Sequence, residues 1–436
     1  MWSEVLLAIF ANVGSFYFGV TIAWSSPAGP QVIENENYPF WVTKNQFGLI
    51  VACISLGGIT SCIPSGIIRH KIGTKKTIFY FSFPGVIGSI LITLADNLAM
   101  LLIGRYLIGI SLGCFMFLVQ IYVGEISSDK NRGSLLNFIH ILVHLGVLFV
   151  YVLGQIVSLK MLNIICGAIP LFYGIGFLLM PETKPYLISK GKYQNDINAN
   201  TAELSKLKQN NDKPEVKKKT IVELLQMRAT RRAMIIMVFQ FFFFQMSGAV
   251  AVNFYAKLIF IEASVNINPG LASIINVCVL CLSATVSVFY VRKFGRRMML
   301  FTFNSLSVVS LIGLGIFFSL KDMGYSIDNI KWLPLVSLCL NSIAFCLGIA
   351  PVTYGLLGEL FTIEAKKILA PMAQIFNQIM TFTIGISFPF LSSVIGTGSV
   401  FLIFAITTFI DIIFGYYFIP ETKGKSFDEI QEALSK

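Results

Sequence analysis

Twelve long apolar blocks, separated by shorter polar segments, follow one another along the chain. Each block is close to the about 20 residues that an α-helix needs to cross a hydrocarbon core. Because only helices satisfy every backbone polar group in lipid at this length, the pattern predicts an all-α membrane protein. We place the twelve spans at residues 4–27, 45–68, 77–95, 98–124, 134–158, 161–180, 233–260, 270–291, 298–319, 333–358, 368–394 and 399–419.

Short motifs recur at a nearly constant distance, which indicates that the second half of the chain repeats the first. Pro-Glu-Thr-Lys occurs at 181–184 and at 420–423, each time directly after an apolar block. The Gly-Glu pair that contains Glu125 returns with Glu359, and a basic residue follows seven positions after each Glu. Parallel repeats of this kind are typical of transporters in which one bundle moves against the other.

The repeat divides the chain into two bundles with a polar connection between them. We predict a six-helix bundle at 1–180, a cytoplasmic linker with short helices at 181–232, a second six-helix bundle at 233–420 and a cytoplasmic tail at 421–436. The linker is rich in Lys and Asn, as expected of a solvated segment.

Composition and charge agree with this topology. Charged residues make up 13% of the chain, against about 25% in soluble domains. If both termini are cytoplasmic, 27 of the 33 Lys and Arg residues lie on the cytoplasmic side, which is a strong positive-inside signal. The net charge of +11 is then explained by topology and anionic lipid, with no nucleic acid as a partner.

Motifs distributed over almost the whole chain carry a family resemblance. They are Gly104-Arg105-Tyr106 with Gly109 and Gly113, Tyr122-Val123-Gly124-Glu125-Ile126 with Arg132-Gly133, Pro181-Glu182-Thr183, Gln245-Met246-Ser247-Gly248 with Phe254-Tyr255, Gly295-Arg296-Arg297, Gly358-Glu359-Leu360-Phe361 and Pro420-Glu421-Thr422-Lys423-Gly424-Lys425-Ser426. The chain resembles the sugar porters of the major facilitator superfamily. Trp24-Ser25-Ser26-Pro27 looks like the insect facilitated trehalose transporter branch in particular.

This resemblance implies a plasma-membrane uniporter that moves a sugar, trehalose or a hexose such as glucose, by alternating access. It implies no enzymatic activity, no cofactor and no obligate protein partner. His140 and His144 lie four residues apart, a spacing that metal sites also use, but no neighbouring motif supports a metal. Gly109 and Gly113 are expected to let span four pack closely against another helix.

Charged residues that recur in both halves at the predicted cytoplasmic helix ends form a candidate gate. They are Glu125, Arg132, Glu182, Arg296, Arg297, Glu359, Lys366 and Glu421. Carboxylates and basic residues at these positions would hold the inner faces of the bundles together while the outer side is open, and opening inward would break the contacts. The alternative is that these charges only cap helix ends and set topology.

Two positions depart from the family pattern in the glycine-containing loops of the gate. The family usually has an acid where this chain has His70 and Arg292. The loops therefore lack a negative partner, and we expect a weaker lock or a shifted balance between the inward-open and outward-open states.

The resemblance also implies a sugar site, and this chain keeps only part of it. Gln245 and Asn377 match the family, Tyr354 stands where Trp is usual, and His140 stands where the family has Gln. Other positions have lost polar groups: Phe244, Val250 and Leu280, with Asn276 as a substitute near the last. A less polar solute, or a sensor that binds sugar without transporting it, therefore stays open as an alternative.

Energy coupling is the last feature that the sequence addresses. Proton symporters of the family carry an Asp in the first span, and Phe18-Gly19-Val20-Thr21 has none. Asp411 is the intramembrane carboxylate of this chain and a candidate functional group; the alternative is a structural bond to Thr407, Thr408 or a tyrosine. The sequence favours facilitated diffusion, with a proton-coupled symporter as the alternative.

Overall fold

The computed structural model describes residues 4–33, 38–128, 132–183, 186–187, 221–290, 293–425 and 427–435. In these ranges the helices are α1 Glu4–Ala11, α2 Val13–Ala23, α3 Ser25–Ile33, α4 Lys44–Ile72, α5 Thr74–Thr93, α6 Leu98–Ile126, α7 Arg132–Ile156, α8 Leu159–Leu178, α9 Ile221–Gln226, α10 Arg228–Met246, α11 Ala249–Ala263, α12 Pro269–Tyr290, α13 Arg296–Asp322, α14 Leu333–Ala344, α15 Ala350–Glu359, α16 Ile363–Ile395, α17 Thr397–Phe418 and α18 Phe427–Ser435. A π-helical segment, Phe345–Ile349, joins α14 to α15.

Twelve helical stretches of the described chain are long and apolar enough to cross a membrane, which confirms the predicted all-α fold. They are Glu4–Ile33, Lys44–Ile72, Thr74–Thr93, Leu98–Ile126, Phe138–Ile156, Leu159–Leu178, Arg228–Ala263, Pro269–Tyr290, Arg296–Asp322, Asp328–Glu359, Ile368–Ile395 and Thr397–Phe418, and we number these spans one to twelve. Most of the predicted linker lies outside the described residues, and α9 is the short helix that the structure places in it.

Span one is longer than the sequence predicted. We ended it at Pro27, but its helix continues through α3 to Ile33. The chain begins a new helix at Ser25, directly after Trp24, so Pro27 falls in the first turn of α3. Proline is tolerated there because the first backbone N–H groups of a helix have no partner within the helix.

Glycines bring the helices of the first half into backbone contact. A Cβ atom on Gly109 would lie 2.1 Å from the carbonyl oxygen of Ile54, and one on Gly113 would lie 2.7 Å from the Cα of Gly58. These contacts between α4 and α6 confirm the predicted packing role of Gly109 and Gly113.

Two ends of the molecule are distinguished below. The basic end carries the connections after spans two, four, eight and ten, where Arg69–Lys76 and Lys293–Arg297 lie, together with the end of span twelve. The opposite end carries the connections after the odd-numbered spans, including residues 38–43 and 94–97.

The two halves of the chain contact each other directly towards the opposite end. The backbone N–H of Lys257 donates to Ser26 Oγ at 3.1 Å. The Tyr151 hydroxyl donates to the carbonyl of Asn253 at 3.0 Å. The rings of Phe47 and Tyr255 meet edge to face with centroids 6.3 Å apart. These contacts close the opposite end.

We predict that Gly109→Ala lowers the unfolding temperature of the purified protein, because its methyl group would collide with backbone that cannot move aside. Overpacking of this kind costs about 1–3 kcal/mol. Gly124→Ala, in the same helix, is the matched control, since a Cβ there has no heavy atom within 4 Å. Equal unfolding temperatures for the two variants would show that this helix contact is not tight.

Candidate binding site between the two halves

Three polar side chains from spans seven and eleven form a buried cluster. Gln245 Nε2 donates to Asn377 Oδ1 at 2.7 Å and to Thr381 Oγ1 at 2.6 Å. Gln245 is 1% exposed and Asn377 3% exposed. The structure thus brings together the two residues that the family pattern retains. Thr381 was missed, although it lies one helical turn after Asn377 on the same face of α16.

A break in span seven sets the position of Gln245. α10 ends at Met246, Gly248 has a left-handed φ of 76°, and α11 begins directly afterwards. Glycine adopts this conformation without steric cost. The freed carbonyl of Ser247 accepts a hydrogen bond from Asn341 Nδ2 at 3.4 Å. Irregular backbone at membrane depth is stable when the protein pairs it in this way.

Two half-buried rings from different halves of the chain meet beside this cluster. The centroids of His140 in α7 and Tyr354 in α15 are 5.9 Å apart. Asn377 Nδ2 lies 3.4 Å from the Tyr354 hydroxyl and donates to it. Four of the predicted binding residues, Gln245, Asn377, Tyr354 and His140, therefore form one group at the interface between the halves.

An apolar wall flanks this group on the side of spans eight and ten. The Phe244 ring packs against Tyr354 and Phe345, with centroids 5.7 Å and 5.1 Å away. Leu280 and Cys346 are buried in the same cluster. Two of the three positions where the sequence has lost polar groups, Phe244 and Leu280, thus form an apolar wall next to the polar group.

Two other predicted binding residues, Asn276 and Val250, have their described contacts with residues outside the polar group. Asn276 Oδ1 accepts a hydrogen bond from Ser342 Oγ at 2.9 Å, which joins spans eight and ten. Val250 packs against the main apolar core. Asn276 is thus satisfied by a neighbouring helix, as a structural residue would be.

Some acceptors near the site are unused. The side-chain oxygens of Gln245 and Gln374 are buried and have no hydrogen-bond partner among the described residues. An unpaired buried carbonyl costs free energy, and a donor on a bound molecule would recover it. The site therefore offers acceptors beside aromatic rings, which suits a ligand that carries hydroxyl groups.

His144 links the halves close to this site. Its Nδ1 lies 2.6 Å from the His140 carbonyl oxygen, and its Nε2 lies 3.8 Å from Cys346 Sγ in the π-helical segment. Such π-helical segments are frequent at functional sites. Within the described part of the chain, no three His, Cys, Asp or Glu side chains are grouped to hold a metal ion.

At the basic end of the first half, two carboxylates organise the loop between spans two and three. Glu125 forms an ion pair with Arg69, whose Nε also donates to Thr74 Oγ1 at 3.0 Å. Glu182 accepts from the backbone N–H of Thr74 at 3.1 Å and of Lys75 at 3.4 Å. Glu182 therefore caps the first turn of α5, where a negative charge is stabilising.

The second half repeats this arrangement. Arg296 pairs with Glu359 at 2.8 Å, and Thr422 Oγ1 donates to the same carboxylate at 2.6 Å. Glu421 accepts from the backbone N–H of Arg296 at 2.9 Å and of Arg297 at 3.1 Å. Burial alone would raise the pKa of Glu421, but the backbone amides that donate to it hold that pKa below its ordinary value.

The sequence predicted the members of these networks without assigning pairs, and the structure gives some of their partners. Lys366 Nζ donates to the Gly358 carbonyl at 3.2 Å, because the last carbonyls of α15 are unpaired there. The partner described for Glu125 is Arg69, which the sequence analysis missed, while the side chain of Arg132 and all of Arg292 lie outside the described residues. His70 is exposed at the end of α4.

The ion pairs described at the basic end each stay within one half. Arg69 and Glu125 both belong to the first half, and Arg296 and Glu359 both belong to the second. In the part of the chain that the structure describes, these ion pairs therefore do not join the two halves. The contacts that join the halves lie in the middle of the molecule and at the opposite end.

Asp411 has a partner other than the predicted one. Asn304 Nδ2 donates to Asp411 Oδ2 at 2.8 Å, between spans nine and twelve. Thr407 and Thr408 instead donate to carbonyls within their own helix, those of Ile403 and Phe404. The described partner is thus none of the three alternatives that the sequence offered, and the threonines are occupied because helical threonine readily bonds the carbonyl four positions earlier.

With the fold and the site described, comparison with known proteins defines the class. The model of the family "Sugar (and other) transporter" matches residues 7–434, so the chain belongs to this family and is a multi-pass membrane protein. It is 28% identical to the facilitated trehalose transporter Tret1 of Drosophila erecta and 27% identical to that of Aedes aegypti. The alignments cover 100% of this chain and 52% and 55% of those relatives, so the chain spans about half their length.

Solved structures agree on the fold. The inward-open xylose transporter XylE of E. coli superposes with a TM-score of 0.81 at 19% identity, over 100% of both chains. The E. coli fucose:proton symporter FucP superposes with a TM-score of 0.60 at 17% identity, over 96% of this chain and 100% of its own. At these identities the likeness establishes the twelve-helix fold and nothing more specific.

We predict that Asp411→Asn keeps the protein folded, since an amide oxygen still accepts from Asn304. Asp411→Leu, the control, leaves that buried donor unpaired and should cost about 1–3 kcal/mol. Thermal unfolding of the purified variants measures the difference. If Asp411→Asn also abolishes a pH dependence of uptake, the carboxyl group belongs to a proton relay and transport is coupled.

Proposed function

We propose that the protein is a facilitative transporter that carries a sugar, trehalose or a hexose such as glucose, across the plasma membrane. Its binding site is the group formed by Gln245, Asn377, Tyr354 and His140 between the two halves. The observation that carries the proposal is the Gln245–Asn377–Thr381 cluster with its unused acceptor beside two rings. Hydroxyl-rich ligands need such paired polar groups next to aromatic faces.

The direction of opening follows from the contacts between the halves. With both termini in the cytoplasm, the basic end faces inward and the closed opposite end faces outward. The structure then corresponds to an inward-facing state. To open outward, the protein has to break the contacts of Ser26 with Lys257 and of Tyr151 with Asn253, and the halves have to meet at the basic end.

The gate residues bias this equilibrium. Glu125 and Glu359 lie at the ends of spans four and ten, beside the helices that begin near Arg132 and at Ile363. In the outward-facing state the carboxylates of Glu125 and Glu359 form ion pairs with basic residues of the other half. These added ion pairs favour closure of the basic end. A carrier needs this bias to be small, because both states have to be populated during a cycle.

Transport is passive in this proposal. The described first span carries no carboxylate near Thr21, whose hydroxyl bonds the carbonyls of Tyr17 and Phe18. Asp411 is bonded to Asn304 within the second half and makes no described contact with the binding group. The carboxyl group of Asp411 thus lies outside the proposed binding group.

A second candidate cargo is a solute with fewer hydroxyl groups. The specific observation in its favour is the wall of Phe244, Leu280 and Phe345, which covers one side of the polar group. Such a ligand would place an apolar part on the wall and one or two donors on Gln245.

We expect saturable uptake of labelled trehalose or glucose in transporter-deficient cells that express the chain. Gln245→Ala and Asn377→Ala should each reduce the ratio of maximal rate to KM about tenfold or more, the equivalent of roughly 1.4 kcal/mol. Thr381→Ala should act in the same direction. Thr383→Ala is the matched control, because its exposed hydroxyl bonds only a carbonyl of its own helix.

The outcomes separate the alternatives. No uptake of either sugar, with surface expression confirmed, contradicts sugar transport. Direct binding of sugar without uptake or counterflow would identify a sensor, and uptake of a less polar solute would favour the second cargo.

We also expect His70→Asp to shift the protein towards the outward-facing state, because it supplies the acid that the gate loop lacks. Ser26→Cys reports this state, since its position is buried at the closed opposite end and becomes reachable only on opening. Its labelling by an impermeant maleimide should rise several-fold in the His70→Asp protein and not in His70→Asn. Trp41→Cys, at a position that is 67% exposed, controls for expression and labelling. Unchanged labelling at Ser26→Cys would show that this loop does not set the balance.

A further inference from the structure

A fully buried arginine lies inside the first half, away from the binding group. Arg105 in α6 is 1% exposed, and its Nη1 donates to the carbonyl of Thr21 at 3.1 Å. Its guanidinium carbon lies 4.8 Å from the centre of the Trp24 ring, within the range of a cation–π contact. Among the residues that the structure describes, no carboxylate pairs with it.

A small cavity lies against this guanidinium group. It has a volume of about 20 Å³, and its lining consists of Arg105, Tyr17, Thr21, Trp24, Ser89, Asn163 and Cys166, together with the apolar side chains of Val20, Ile92 and Ile108. A cavity needs roughly 10–15 Å³ to hold one water molecule, so this one has room for a single water molecule or a single monatomic ion. Its walls come from α2, α5, α6 and α8, so the bound species would lie between four helices of the first half, towards the opposite end.

The polar atoms left over at the cavity are donors. Nε and Nη2 of Arg105 and the hydroxyl of Tyr17 are buried without a hydrogen-bond partner among the described residues. Asn163 Nδ2 is a further buried donor without a partner there, while Asn163 Oδ1 accepts from Trp24 Nε1 at 2.6 Å. Ser89 Oγ donates to the Gly85 carbonyl at 2.9 Å. A guanidinium group cannot lose its proton in a protein, so its charge needs a compensating partner.

We propose that this cavity binds one small monovalent anion of the halide class, held by Arg105 and the Tyr17 hydroxyl. An anion would accept from the unpaired donors and neutralise a charge that is expensive to bury alone. A water molecule would satisfy the donors but would leave the charge unbalanced. The anion would join α2, α6 and α8, and it would act on the stability of the first half whatever the cargo is.

Thermal unfolding tests this proposal. The purified protein is prepared in sodium chloride and in sodium gluconate at equal ionic strength, since gluconate is too large for the cavity. We expect an unfolding temperature that is several degrees higher in chloride and that keeps rising with the logarithm of chloride concentration above Kd, as linkage requires of a ligand that binds the folded state. Bromide should substitute for chloride.

Two variants assign the effect to the cavity. Asn163→Asp keeps an acceptor for Trp24 and places a fixed carboxylate in the wall, so it should remain folded and lose the chloride dependence. Arg105→Gln should lose the dependence as well. Asn97→Asp is the matched control, because it makes the same substitution at a site where the side chain only caps the start of α6. It should keep the full dependence.

Each result decides for or against the site. Equal unfolding temperatures in chloride and gluconate would mean that the cavity holds water only. A chloride effect that persists in Asn163→Asp would place the anion elsewhere. If Arg105→Gln does not fold, Asn163→Asp still gives the answer, and crystals grown in bromide should show an anomalous-scattering peak beside Arg105.

Discussion

The spans of this protein have to satisfy their polar groups from within, because lipid offers neither donors nor acceptors. That constraint accounts for most of the buried contacts described above. Gln245 is paired with Asn377 and Thr381, Asp411 with Asn304, and Asn276 with Ser342. A polar group that is left over is therefore informative. The unused oxygen of Gln245 points to a ligand, and the unused donors of Arg105 point to an anion.

The duplicated halves solve the same problem at the basic end with different residues. In both, a carboxylate from Pro-Glu-Thr caps the helix that starts span three or span nine. In both, the Glu at the end of span four or ten pairs with an arginine at a helix end beside the glycine turn. The arginine precedes the glycine in the first half, as Arg69, and follows it in the second, as Arg296. The Glu–Arg ion pair is thus present in both halves, although the arginine occupies a different sequence position in each.

Much of the fold could be predicted from the chain alone, since twelve apolar blocks and a repeat leave few alternatives. The pairing of Gln245 with Asn377 also followed the family pattern. Partners that depend on side-chain direction could not be predicted. Lys366 bonds a helix-end carbonyl, and Asp411 bonds a residue more than a hundred positions earlier. Spacing along one helix says which residues share a face, and it does not say which neighbour meets that face.

The π-helical segment in span ten also changes how the two halves can be compared. Its wider turn accommodates about one residue more than an α-helix would, and each added residue rotates the rest of the helix by about 100°. Everything after Ile349 is therefore out of phase with a continuous α-helix. Tyr354, five residues after this segment, is the ring of span ten that faces His140, while span four is a continuous α-helix from Leu98 to Ile126. The halves therefore repeat each other in the charge networks of the basic end, yet they differ beside the binding group, so each half presents a different surface to the cargo.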